Sequence, residues 1–223
     1  MDYIELAKAN EDLCIEMRRE LHKIPELELE LPKTVAYVKS KLDDFGLSYK
    51  EYVNGNGLSV LIEGSEPGKC LAIRADMDAL PVAEETGLEF ASTHPGKMHA
   101  CGHDSHTAIA LTAAKILNEN KDKLKGSVKF IFQPGEEIPG GAKPMIEEGV
   151  LENPKVDFII GMHGGHLAEI PRGSIAFKDN EMMAAMDKFT IEVNGKGGHG
   201  ASPHLAIDPI VISGEILLGL QKI

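Results

Sequence analysis

The chain has 223 residues, 43% of them hydrophobic and 26% charged, which suits one large globular domain or two small ones. Its net charge of −12, from 23 basic and 35 acidic side chains, argues against nucleic acid or an anionic membrane surface as partner. No apolar run reaches the roughly 20 residues of a membrane-spanning helix, and three cysteines (Cys14, Cys70, Cys101) without disulfide spacing point to a reducing cytoplasm.

The N-terminal MDYIELAKANEDLCIEMRREL reads as one amphipathic helix with charges throughout, unlike a signal peptide. It runs to about His22 and ends before Ile24-Pro25. Pro32 can open a second helix and Gly46 can close it. Residues 58–62 and 70–75 read as strands, with the turn-rich GSEPG between them. Asp104 or Ser105 can cap a helix whose apolar positions continue to about Leu117. A strand at 127–132, a short helix around 144–148 and a strand at 157–162 follow. Their runs FIF and FII are short and wholly apolar, as in strands covered on both faces. Alternating strands and helices predict an α/β fold, an open and mostly parallel sheet flanked by helices. From about Met186 the character changes. Residues 188–193 alternate apolar and polar, reading as a strand with one wet face. A glycine-rich loop and a helix from about Ile207 come next. The expected organisation is therefore a first domain over 1–180 and the start of a smaller α+β domain over 181–223.

Four clusters carry chemistry: Arg74-Ala-Asp76-Met-Asp78, Cys101-Gly-His103-Asp104, Gln133-Pro-Gly-Glu136-Glu137 and Gly161-Met-His163. In open parallel sheets ligands bind beyond the carboxyl ends of the strands, and these clusters fall at such ends or just before a helix. Cys101 and His103 can face one metal, since thiolate and imidazole suit zinc and similar ions. The pair also fits a buried cysteine with a surface histidine, or a thiol–imidazole hydrolase dyad; the nearby carboxylates favour the metal. One of Glu136 and Glu137 can bind metal while the other takes a proton from water, although the doublet also fits a polar helix start. His163 is a further candidate ligand. Asp76 or Asp78 can orient a ligating imidazole or simply pair with Arg74. His106 falls one helical turn after His103 and can support it. His22, His94, His99, His166 and His204 read as surface or loop residues.

These residues, with RELHKIPE, RADMDALP, MHACGHDSHTA, FQPGEE, GMHGGH and GKGGHGASPH in this order, resemble the aminoacylase, hippurate hydrolase and auxin-conjugate amidohydrolase family of co-catalytic metallopeptidases. The resemblance implies a zinc-peptidase-like catalytic domain with a small lid domain. It also implies hydrolysis of the amide between an acyl group and an amino acid or similar amine, with a small N-acyl amino acid as substrate. On this sequence the metal ligands become Cys101, His103, Glu137 and His163, with Cys101 bridging two metals. Glu136 becomes the general base, and Asp78 the carboxylate that steadies a ligand. His199 matches a lid histidine offered to a neighbouring subunit's active site, where it hydrogen-bonds the oxyanion; a homodimer through the lid is implied. One or two divalent ions, zinc, manganese or cobalt, are expected. Family members are longer and bring one more histidine from a later segment. On that ground the chain is expected to be an amidohydrolase fragment of low activity; the alternatives are a catalytically dead fragment and a metal-binding scaffold without hydrolase activity.

Overall fold

Asn10 breaks the N-terminal helical stretch into α1 (Tyr3–Ala9) and α2 (Glu11–His22). Its backbone leaves the helical region (φ −110°, ψ 10°) and its amide donates to Leu6 O at 2.9 Å. A side chain that bonds local backbone in this way competes with the helix, so the single helix read from the sequence is two. The computed structural model describes residues 2–138, 140–165, 171, 173–182, 185 and 187–223, in two units, Met1–Met182 and Met183–Ile223.

The first unit continues with α3 (Pro32–Asp44), opened by proline in its first turn, and with β1 (Tyr49–Tyr52), β2 (Gly57–Glu63) and β3 (Glu66–Asp76). After a long connection come α4 (His103–Glu119), β4 (Lys125–Gln133), α5 (Ala142–Glu147) and β5 (Phe158–Gly161). The sheet is open and ordered β1-β2-β4-β3-β5. Strand β3 lies parallel to β4 and β5, whereas β2 is antiparallel to both β1 and β4. Four strands thus run one way and β2 alone runs against them.

The period of two along a strand decides which layer each side chain joins. Phe130 and Phe132 of β4, with Leu58, Val60 and Ile62 of β2, pack against Met17 and Leu21 of α2, Val35 and Val38 of α3 and Leu111 of α4. Ile131 points to the other face, where it meets Tyr52, Ala72, Met145 of α5 and Val150. The FIF run is therefore covered on both faces, as read. The FII run is not. Phe158, Ile159 and Ile160 are each more than half exposed: among the described residues β5 is an edge strand that pairs only with β3.

In the second unit, α6 (Pro209–Leu220) is capped by Asp208, which accepts from Ile210 N at 2.9 Å. Residues 188–193 form no strand, against expectation. Among the described residues of this unit the sole pairing is a bridge between Lys196 and Ile207. Alternation supplies a face but no hydrogen-bond partner, and a ladder needs both. Among the described residues no helix is long and apolar enough to cross a membrane.

Candidate metal centre

Parallel pairing brings the ends of β3, β4 and β5 to one rim. Asp76 lies opposite Gln133, and Arg74 opposite Gly161. The residues that follow these positions, Asp78, Glu136, Glu137 and His163, therefore emerge on the same side of the sheet. Helix α4 delivers the remaining pair. Gly102 precedes it at φ +91°, a left-handed conformation that suits glycine, and the helix starts at His103 itself. Asp104 does not cap the helix as expected. Its fully buried carboxylate is held instead by Arg18 Nε at 2.8 Å and His22 Nδ1 at 2.7 Å.

Donor atoms of Cys101, His103 and His163 lie within 4.8 Å of one another, as do those of His103, Glu136 and Glu137. Cys101 Sγ is 3.3 Å from His163 Nε2. His103 Nε2 is 3.8 Å from Glu137 Oε1 and 3.9 Å from Glu136 Oε2. Both imidazoles have the same tautomer imposed on them. His103 Nδ1 donates to Asp78 O at 2.8 Å, and His163 Nδ1 donates to Gly164 O at 2.7 Å. That leaves each Nε2 with its lone pair facing the shared space. Asp78 does more than hold one imidazole. Its two carboxylate oxygens accept from Glu136 N at 2.9 Å and Glu137 N at 3.0 Å, so one residue aims both the imidazole and the doublet.

A divalent ion fits these residues. His103 Nε2 and Glu137 Oε1 are buried and have no hydrogen-bond partner among the described residues, a state that costs roughly 1–3 kcal/mol per atom in a folded protein. Two acceptors facing each other beside a thiol make a poor hydrogen-bonded cluster but a suitable donor set for a borderline-soft cation. Burial pushes the Cys101 thiol up to about 12, and the neighbouring Glu137, Glu136 and Asp76 push in the same direction. A bound cation opposes these carboxylate charges and favours the thiolate. Burial lowers the pKa of His103, but Asp78, Asp76 and Glu137 outweigh it and raise the balance. A proton and a metal thus compete for Nε2.

Asp76, His103 and His106 also converge, but Asp76 and His106 are already hydrogen-bonded. Asp76 Oδ2 accepts from Arg74 Nη1 and Oδ1 from His106 Nδ1, both at 2.6 Å. Burial raises the Asp76 pKa, and the His106 hydrogen bond with the charges of His103 and Arg74 brings it down to about 2. Each oxygen of Asp76 thus already accepts one charge-assisted hydrogen bond. His199, the remaining candidate, belongs to the second unit, where it is exposed and its Nδ1 accepts from Ala201 N at 3.2 Å. His166 lies outside the described residues.

Two histidines read as surface residues are buried. His22 bridges Asp104 and Glu84, whose Oε1 is 3.2 Å from its Nε2, and the Asp104 hydrogen bond raises its pKa. The network ties α2 and α4 to the connection that leads to Cys101. Sequence reading missed it because the partners of His22 are 62 and 82 positions away. His99 is 4% exposed and neither ring nitrogen has a partner among the described residues. Burial lowers its pKa from 6.5 to about 4. It is neutral in the fold and gains a proton on unfolding below pH 6.5, so its contribution is present above that pH and lost as pH falls toward 4. From this group the chelated chain is expected to lose about 3 kcal/mol of unfolding free energy over that window. Urea unfolding of His99→Leu at pH 7 and pH 4 checks this; a pH slope equal to that of the parent contradicts it.

Residues 72–211, more than half of the chain, match Peptidase family M20/M25/M40. The chain is 45% identical over 210 residues to an N-acyl-L-amino acid amidohydrolase of Geobacillus stearothermophilus, covering 94% of this chain and 56% of that relative. A solved dinuclear metal-binding peptidase of Bacillus subtilis is 44% identical with a TM-score of 0.67, over 71% of this chain and 44% of that one. A solved structure from methicillin-resistant Staphylococcus aureus is 40% identical with a TM-score of 0.74, over 98% of this chain and 58% of the other. The chain spans about half the length of the curated relatives it matches.

Proposed function

Because the chain belongs to Peptidase family M20/M25/M40, we propose that it carries the metal-binding site of an amidohydrolase acting on N-acyl amino acids or similar N-acylated amines. The carrying observation is the convergence of His103 Nε2 and Glu137 Oε1, without a partner among the described residues, beside Cys101 and His163, with a second carboxylate, Glu136, next to them. Cys101, His103, Glu137 and His163 would hold one or two divalent ions, zinc, manganese or cobalt, with Cys101 as the candidate bridge. When bound, such ions polarise the scissile carbonyl and lower the pKa of water toward neutrality.

The chain's own groups do the rest. Glu136 takes the proton from the attacking water and delivers it to the leaving amine nitrogen. Asp78 holds the backbone of Glu136 and the ring of His103 in place for that transfer. His199 donates a hydrogen bond to the developing oxyanion in a homodimer, the role that the family resemblance gives it.

A protein carrying this sequence is expected to release free amino acid from N-acetyl or N-benzoyl amino acids when loaded with divalent metal, and to stop after chelation. Stoichiometric metal binding without hydrolysis of any N-acyl amino acid would leave the metal site standing and remove the amidohydrolase reading.

A further inference from the structure

A line of hydrogen bonds crosses the rim beneath the candidate ligands. Gln133 Oε1 at the end of β4 accepts from Arg74 Nε at 3.0 Å, and Arg74 Nη1 donates to Asp76 at 2.6 Å. Asp76 then accepts from His106 Nδ1 at 2.6 Å, and His106 Nε2 accepts from Gly164 N at 2.8 Å. The last bond fixes the tautomer. A backbone N–H can only donate, so Nε2 is the bare nitrogen and Nδ1 carries the proton. Asp76 is fully buried and His106 is 5% exposed, so water competes little for either bond.

Gly164 is the neighbour of His163 and accepts from its Nδ1. The imidazoles of His106 and His163 also pack edge to face, with centroids 4.8 Å apart and planes at 69°. His163 is otherwise weakly held. It follows the exposed strand β5, and its own ring is only half-buried. Its other partner in the site is Cys101 Sγ. We infer that His106 is a positioning residue for His163: it anchors Gly164, and through Gly164 it sets the direction in which His163 Nε2 points. Asp76 and Arg74 serve this arrangement by holding the proton of His106 on Nδ1. The inference rests on the reading of His163 as a metal ligand.

Zinc affinity, measured by competition with a chromophoric chelator, tests it without any assay of turnover. His106→Asn keeps a short amide able to meet Asp76 but falls short of Gly164. His106→Gln reaches far enough for its amide oxygen to accept from Gly164. Supporting groups of a metal ligand are typically worth about 10–100-fold in affinity, so His106→Asn is expected to weaken zinc binding by that factor, and His106→Gln to recover most of it. Adding His106→Asn to His163→Ala is expected to cause no further loss, since coupled residues do not add. Equal affinity of His106→Asn and the parent, or a full additive loss in the His163→Ala background, overturns the inference. If His163→Ala alone leaves zinc affinity unchanged, the ligand reading itself fails.

Discussion

Glu136→Gln is expected to lower amide hydrolysis about 100- to 10,000-fold, the usual worth of a positioned proton acceptor, while leaving bound metal unchanged. The two adjacent glutamates are chemically identical, so the sequence cannot say which binds and which moves protons. Local geometry supports giving the base to Glu136 and the metal to Glu137. Glu137 Oε1 is buried and unpartnered among the described residues, and it faces His103 Nε2 at 3.8 Å. Glu136 is the more exposed of the two side chains and has no orphaned oxygen. A carboxylate that loses its water without gaining a hydrogen bond belongs where a cation will meet it. One that keeps access to solvent can exchange protons with it. The glutamine keeps the shape of Glu136 and its backbone bond to Asp78, and removes only the basic oxygen. Metal content and turnover read on the same sample decide the matter. Lost metal in Glu136→Gln together with retained metal in Glu137→Gln would reverse the two roles.

Cys101→Ser is expected to weaken metal binding by on the order of 3 kcal/mol, more than 100-fold. That is about a quarter of the roughly 10–16 kcal/mol associated with a four-donor site of thiolates and imidazoles. The serine hydroxyl is a far poorer anion than a thiol and rarely serves as a zinc ligand. Metal binding by the parent should also weaken as pH falls. Burial and the surrounding carboxylates hold the Cys101 thiol high, so the metal must displace its proton, and protonation of His103 competes from the other side. Titration calorimetry in two buffers of different ionisation heat measures the protons released. Equal affinity of Cys101→Ser and the parent would remove Cys101 from the ligand set.

The rim was legible in the sequence because each cluster follows a short apolar strand or precedes a helix, and parallel pairing aligns strand ends. Phe130 and Phe132 announced a buried strand, and their register with β3 places Asp76 beside Gln133. Local pattern could not supply long-range pairing. Asp104 looked like a helix cap by position, yet its carboxylate meets Arg18 and His22, some 80 residues earlier. His22 and His99 looked like surface residues because imidazole is polar, and their burial comes from packing that no local window contains. His106 was visible one turn after His103, but its acceptor bond to Gly164 depends on where β5 ends. Strand β5 shows the opposite failure. Its apolar run promised burial, but its place at the sheet edge exposes Phe158 and Ile160 among the described residues.

If Cys101 and the imidazoles of His103 and His163 meet at one metal, X-ray absorption at the zinc edge of the loaded protein will show it. The expected spectrum contains a sulfur scatterer at about 2.3 Å together with nitrogen and oxygen at about 2.0–2.2 Å, and the sulfur shell disappears in Cys101→Ser. Nitrogen and oxygen scatterers alone in the parent protein would mean that Cys101 does not bind the metal.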